Sequence, residues 1–466
     1  MKKLLLVLVT LFVADFVFAQ NVSIEGTGSG ISGKKIRLSF VEDGISLLEK
    51  HLQDYTVAQD DSTFSFAFTL DGVSRIGLRI DSYEYGFLAK PGMVYKMRIG
   101  DFNYDLYDSV NTLVYRYILP VTIENLPKED INNCIAAFDM AVSDYILNHR
   151  KELFVFRDRK VVDTLYALVQ RFEQGEDTNG YFCDYIRYEL GSIEYALKLK
   201  GRNKLRNELF NNRPIKYYNI GYMDCFNNLF GHYFSKGNDY ISRRDLEFWL
   251  TTNNYAGLSD ALGKDSVLRN EVFRELVFIK GMKDAYDDGG YNGTDVIRML
   301  ERFAGQTKFE THRLIAENVI EQLISTSSSG REFKDFKLRD VSDDTVSLSR
   351  YLDKPLVLNF VKLNDISSKR ELEVINFLYD SIRNNCEILT ISCDRNLDAM
   401  YNFLKNTKVG SKYKWQFVHF DSNYELLEYY KVVAFPTFIL LSPEGKTEIN
   451  PMYNPSEGGL SRFISR

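Results

Sequence analysis

Between residues 21 and 118 the apolar positions fall in short runs, several with a period of two. Ile36–Phe40 (IRLSF), Thr63–Leu70 (TFSFAFTL), Ile76–Ile80 (IGLRI), Tyr85–Leu88 and Val94–Ile99 (VYKMRI) are such runs, and clusters of Gly, Asp and Ser separate them. Alternation turns one side of an extended chain to a core and the other to water, so each run predicts a strand. Ala89-Lys90-Pro91-Gly92 reads as the turn between two of them. Short antiparallel strands punctuated in this way predict a small all-β sandwich over residues 20–119.

From residue 120 to 325 the period changes. Ile131, Cys134, Ile135, Phe138, Val142, Tyr145 and Ile146 form one stripe at helical spacing. Val161, Val162, Leu165, Leu168, Val169 and Phe172 form a second; Val272, Leu276, Ile279 and Met282 a third; His312, Ile315, Val319 and Leu323 a fourth. Apolar residues three and four apart share one helix face, so this all-α region buries its stripes as core. No clean repeat of solenoid length is present.

Residues 326–466 alternate between the two periods. Expected elements are strand 356–360, helix 365–384, strand 387–392, helix 396–406, strand 415–419, a short helix 422–430, strand 437–441 and a terminal helix near 457–464. Strands alternating with helices predict a layered α/β domain.

The first twenty residues, MKKLLLVLVTLFVADFVFAQ, alter the picture of compartment. Lys2 and Lys3, then an apolar stretch, then Val17-Phe18-Ala19, have the order of a secretory signal peptide spanning 1–19. The apolar run is interrupted by Asp15 and is short for a bilayer span, so export to the periplasm or cell surface is expected, with no integral membrane segment afterwards. The net charge of −6 and the scattered Lys and Arg argue against nucleic acid as a partner. The 33 Phe and 30 Tyr are read as large cores and Tyr-lined surfaces.

Candidate chemistry is sparse. Cys134, Cys183, Cys225, Cys386 and Cys393 match no zinc spacing and no CxxC. Cys386 and Cys393 bracket the expected strand EILTIS; seven extended residues span about 23 Å, whereas disulfide-linked Cα atoms lie within about 7 Å. His51, His149, His232, His312 and His419 form no HExxH or HxH pair. No P-loop, GxSxG or GxGxxG is present. No metal or cofactor is expected.

Three segments near the C-terminus carry a resemblance. Val357–Leu372 reads VLNFVKLNDISSKREL; Ile391-Ser392-Cys393-Asp394 ends a strand; Tyr430–Lys446 reads YKVVAFPTFILLSPEGK. Together they resemble the thioredoxin-fold domains of TlpA-like and AhpC/TSA-like proteins. The preceding regions resemble exported Bacteroidota-type proteins that carry a β domain of unknown function, on Gly26, Gly28, Gly33, Asp61–Phe66 and the Pro91-Gly92 turn. Phe333–Leu348 resembles the hairpin that leads into the first core strand. The resemblance implies a cis-proline at Pro436, preceded by Phe435, facing the start of the helix near Asp365.

Against the pattern of that resemblance, several features are missing. Asn364 stands where the family has Trp, Asp365 and Ser368 where it has two cysteines, and Glu373 where a proline follows Glu371. Disulfide exchange needs an attacking thiolate and a resolving thiol, and Asp and Ser supply neither. Two readings of these residues stand side by side. Asp365 or Ser367 caps the helix, with Ser368 and Glu371 as a capping box; or the helix end, with the Ser367 and Ser368 hydroxyls, binds a peptide or an anion beside Pro436. The implied function is a non-enzymatic protein- or peptide-binding or scaffold protein of the cell envelope. The alternatives are a thiol–disulfide oxidoreductase working through Cys393 or Cys386, and a purely structural subunit of an envelope complex.

Overall fold

The computed structural model describes residues 21–101, 117–174, 180–236, 238–326, 331–406 and 413–464. The first twenty residues, where a leader is expected, therefore lie outside the described residues. The N-terminal strands are β1 (Val22–Gly28), β2 (Lys35–Val41), β3 (Glu49–Thr56), β4 (Thr63–Phe68), β5 (Ser74–Ile80), β6 (Tyr83–Ala89), β7 (Val94–Ile99), β8 (Tyr117–Ile118) and β9 (Val121–Ile123). They form two sheets, ordered β4-β1-β7-β9 and β3-β2-β5-β6-β8. Ile24, Phe64, Phe66, Tyr95 and Met97 of the first sheet share one core with Ile36, Leu38, Ile76, Leu78 and Ile80 of the second. Two sheets closing on their apolar faces make the sandwich that the alternation predicts.

Two further long strands were hidden in the sequence. β1 carries Gly26 and Gly28, poor strand formers, yet Gly26 lies under the Phe64 ring, where an added Cβ would sit 2.0 Å from a ring carbon. β3 (EKHLQDYT) is an edge strand with no buried residue, so it has no apolar face to betray it. Gly33 has φ +69° in the turn before β2, a conformation costly for residues with a Cβ.

The helical region begins at Ile131. Its stripes are buried: Ile131, Ile135, Phe138 and Val142 in the Ile131–Asn148 helix, and Val162, Leu165 and Val169 in the Arg159–Glu173 helix. The Glu271–Asp287 helix is enclosed on several sides, with Phe273, Leu276, Val277, Phe278, Ile279 and Met282 all in the core. Asp130, Asp158, Asn219, Ser242, Asn270 and Asn292 accept hydrogen bonds from free N–H groups at helix starts. His312 is a satisfied core histidine, 2.8 Å from both the Tyr217 hydroxyl and the Glu275 carboxylate.

The C-terminal strands are β10 (Lys337–Asp340), β11 (Thr345–Ser347), β12 (Leu356–Val361), β13 (Glu387–Ser392), β14 (Gln416–His419), β15 (Thr437–Leu441) and β16 (Thr447–Met452), in the order β11-β10-β14-β13-β12-β15-β16. β12, β13 and β14 are parallel; β15 runs against β12. Leu372, Ile375 and Met400 bring two helices onto one face, and Leu426 and Leu427 a third onto the other. A central strand covered on both sides has no solvent face, which is why every residue of β12 is buried. The terminal helix expected near 457–464 is absent. Strand β16 precedes that stretch, and short 3-10 turns at Pro455–Glu457 and Ser461–Phe463 stand there instead. Pro451 is tolerated because β16 is an edge strand, and Pro455 and Gly458 break any continuing helix.

Polar contacts tie the sandwich to both other regions. Asn227 Nδ2 donates to the Gly44 carbonyl at 2.7 Å, and Lys50 pairs with Glu321 at 2.7 Å. On the other side Arg79 pairs with Glu428 of the Tyr424–Tyr429 helix, and also with Glu49 and Glu84 at 3.0 and 3.3 Å. Arg79 is only 11% exposed, so its charge is neutralised by these three carboxylates rather than by water. Replacing Arg79 with Ala should therefore cost roughly 1–2 kcal/mol: charge-assisted hydrogen bonds are lost, but the partly exposed carboxylates regain water and Glu428 keeps Arg37. Arg79→Lys should recover only part, since a single ammonium cannot reproduce the fork. Chemical denaturation of the two variants checks both expectations.

Candidate functional site at the start of the Ile366–Ile382 helix

The strand–loop–helix at β12 is built by satisfying backbone groups that burial has cut off from water. β12 ends at Val361, and Lys362, Leu363 and Asp365 are buried beyond it. The Leu363 N–H donates to both oxygens of the Asp394 carboxylate, at 3.0 and 3.2 Å, and the Ser392 hydroxyl donates to the same group at 2.7 Å. The His419 Nε2–H donates to the Asp394 carbonyl at 2.9 Å. Asp394 thus pins the loop after β12 to the end of β13. Burial pushes its carboxyl above the ordinary range, against the pull of these hydrogen bonds and of Lys362.

The loop then closes on itself. The Asp365 N–H donates to the Lys362 carbonyl at 3.1 Å. Asp365 has extended backbone angles, φ −79° and ψ 139°, and its Oδ2 accepts from the Ser368 N–H at 2.7 Å. This is an N-cap: a side-chain oxygen serves one of the orphan donors of the first turn. Ser368 is fully buried, and its hydroxyl lies 3.4 Å from the Lys362 N–H that donates to it. Asn364 and Ser367 are exposed. Of the two capping readings, Asp365 takes the role and Ser367 does not. Glu371 forms no box with Ser368. Its carboxylate reaches the C-terminal turn, accepting from the Ser456 N–H at 2.9 Å and the Ser456 hydroxyl at 2.6 Å.

The proline faces this loop from the neighbouring strand. Phe360 pairs with Thr437 across β12 and β15, which sets Pro436 level with Val361. The Phe435–Pro436 bond is cis. Phe435 is buried, and the Lys362 ammonium lies 5.9 Å from the centre of its ring. Two apolar side chains stay in water on the segments that meet here: Ile366, 80% exposed, and Val433, 69% exposed.

A family profile described as thioredoxin-like matches residues 353–447. The C-terminal domain is thioredoxin-like. Among solved structures, a thiol:disulfide interchange protein from Bacteroides sp. is 21% identical over 29% of this chain and 90% of its own, with a TM-score of 0.26. The thioredoxin domain of a thiol-disulfide oxidoreductase from Bacteroides vulgatus is 22% identical over 29% and 98%, TM-score 0.24. An exposed lipoprotein thioredoxin from Streptococcus pneumoniae is 21% identical over 28% and 98%, TM-score 0.25. No curated protein matches the chain.

The thioredoxin-like domain contains two described cysteines, and neither is placed for exchange. Cys393 is fully enclosed, and burial drives its thiol well above the ordinary range. Burial pushes the Cys386 thiol up to about 12. No disulfide joins the cysteines among the described residues. Sequence reasoning did not give Lys362 or Ser456 a place in the site. Asp394 stands in a recognisable motif, but its grip on Leu363 is a tertiary contact that spacing does not reveal.

A cavity of about 410 Å³ lies elsewhere, between the sandwich and the helices, with Arg75, Phe87, Ile135, Asp139, Tyr218 and Asp224 among its walls. Glu189, in the adjoining helix, is pushed up to about 7 by burial first and then by Asp224 and Asp139. A carboxyl raised in the fold binds a proton there that the unfolded chain releases near 4.5. Its contribution to stability is complete below that value and fades as pH rises towards 7. Thermal midpoints measured at pH 5 and pH 8 should fall less in Glu189→Gln than in the parent chain. Asp365→Ala should cost about 0.5–2 kcal/mol and Asp365→Ser should be close to neutral, as expected of an N-cap; urea unfolding of both variants checks this.

Proposed function

We propose that this chain is an exported binding or scaffold protein whose thioredoxin-like domain keeps a peptide-facing edge and has given up dithiol chemistry. The observation that carries the reading is the Asp365–Ser368 hydrogen bond. The positions where the family resemblance places two thiols hold a carboxylate and a hydroxyl, and both are spent on closing the loop. Enclosure of Cys393 and Cys386 argues against a substitute nucleophile, because the thiolate is the reactive form and burial disfavours it. The exposed Ile366 and Val433 support a partner of partly apolar character, one able to add main-chain hydrogen bonds beside Pro436.

Purified protein should reduce insulin no faster than background. Turnover that vanishes in Cys393→Ser or Cys386→Ser would overturn the redox-inactive reading. The binding half of the proposal is tested with a permanently unfolded polypeptide, reduced and carboxymethylated α-lactalbumin. The parent chain should retain it, and Ile366→Asp with Val433→Asp should release it; retention unaffected by those changes would contradict the assignment of this edge. The double variant D365C/S368C should form a disulfide on mild oxidation, measured as loss of two free thiols, since i and i+3 positions at a helix start lie within the Cα separation that a disulfide bridges.

A further inference from the structure

The connection between the Ile131–Asn148 and Arg159–Glu173 helices contains one π-helical turn, Glu152–Phe156. Leu153 is fully buried and belongs to the same core as Ile135, Phe138 and Leu165. It anchors the turn. The next three residues face water: Phe154 is 51% exposed, Val155 70% and Phe156 71%. Leu147, one turn earlier, is 66% exposed. A folded, anchored turn that shows consecutive large apolar side chains marks an interaction surface rather than a frayed end.

The charges around it say what kind. Arg150, Lys151, Arg157, Arg159 and Lys160 flank the apolar tip, and all five are exposed. Against them stand two carboxylates, Glu152 and Asp158, leaving three net positive charges within eleven residues of a chain whose total is −6. Asp158 already accepts from the Lys160 N–H as a helix cap. None of the five cations forms an ion pair with another described residue, whereas Arg79, Arg313 and Arg339 each hold two or more carboxylates. An aromatic tip flanked by cations that have no ion-pair partner among the described residues is complementary to a surface that is anionic outside and apolar beneath. A bilayer of acidic phospholipid has both properties, and long basic side chains can keep their heads at its phosphates while the rings enter below.

We propose that the Glu152–Phe156 turn docks this protein reversibly on the surface of an anionic lipid bilayer, with Phe154, Val155 and Phe156 in the interface and the flanking Arg and Lys at the phosphates. The attachment is peripheral: no helix among the described residues is long and apolar enough to cross a membrane.

The test uses the full chain without its leader and vesicles of phosphatidylcholine, with or without about one third phosphatidylglycerol. Co-sedimentation should favour the anionic vesicles by about tenfold, as expected when several basic residues sit near a charged surface. Raising NaCl to about 0.5 M should remove most of that preference by screening. F154S/F156S should lose binding by about tenfold or more while its circular dichroism and melting stay unchanged, because the side chains removed pack against little. Phe377→Ser, at a still more exposed ring in the thioredoxin-like domain, should bind like the parent. The proposal is overturned if the parent does not bind anionic vesicles, if neutral vesicles bind it equally, or if F154S/F156S binds unchanged. It is also overturned, in favour of a second copy of this chain, if sedimentation velocity shows a dimer that the double variant abolishes and vesicles bind neither form.

Discussion

Burial obliges backbone N–H groups to find partners, and the C-terminal domain is organised around that obligation at one loop. β12 runs through the middle of a sheet covered on both faces, so the chain that leaves it is still enclosed when it must turn into a helix. An unpaired N–H there costs about 1–3 kcal/mol. Asp394 serves Leu363, Asp365 serves Ser368, and the Ser368 hydroxyl serves Lys362. With these bonds in place the Ile366–Ile382 helix starts at a fixed point, Glu371 reaches Ser456, and the loop stands opposite Phe435 and Pro436.

This arrangement explains how a thioredoxin-like frame can stand without cysteines at the head of the helix. A helix N-terminus favours negative charge and hydrogen-bond acceptors. A thiolate exploits that end for reactivity; a carboxylate exploits it for stability. Asp365 occupies it as a cap, and the cap uses the Ser368 N–H, which would otherwise be open to a ligand. Ile366 and Val433 are the large apolar residues left exposed on the segments of the site, beside the polar Asn364 and Ser367.

Much of the architecture was legible in the sequence, and the exceptions share a cause. Strands with a buried face announced themselves, as in TFSFAFTL and VYKMRI. β3 and β16 are edge strands, half polar or interrupted by proline, and carry no such pattern. The terminal helix was expected where Pro455 and Gly458 instead enforce tight turns. In the site, local rules located the helix start but chose wrongly for Glu371: a capping box is a contact between near neighbours, and a tertiary partner 85 residues away outcompeted it. Asp394 was visible as a residue and invisible as a clamp, because its partner lies 31 residues back along the chain.

Closure of the loop depends on the Asp365 carboxylate holding the Ser368 N–H. Amide hydrogen exchange at Ser368, followed by NMR in the parent chain and in Asp365→Ala, addresses that bond directly. The structure requires slow exchange at Ser368 in the parent, and acceleration in the variant that is confined to the first turn of the Ile366–Ile382 helix while the amides of β12 stay protected. Fast exchange at Ser368 in the parent, or protection that does not change when the carboxylate is removed, would contradict it.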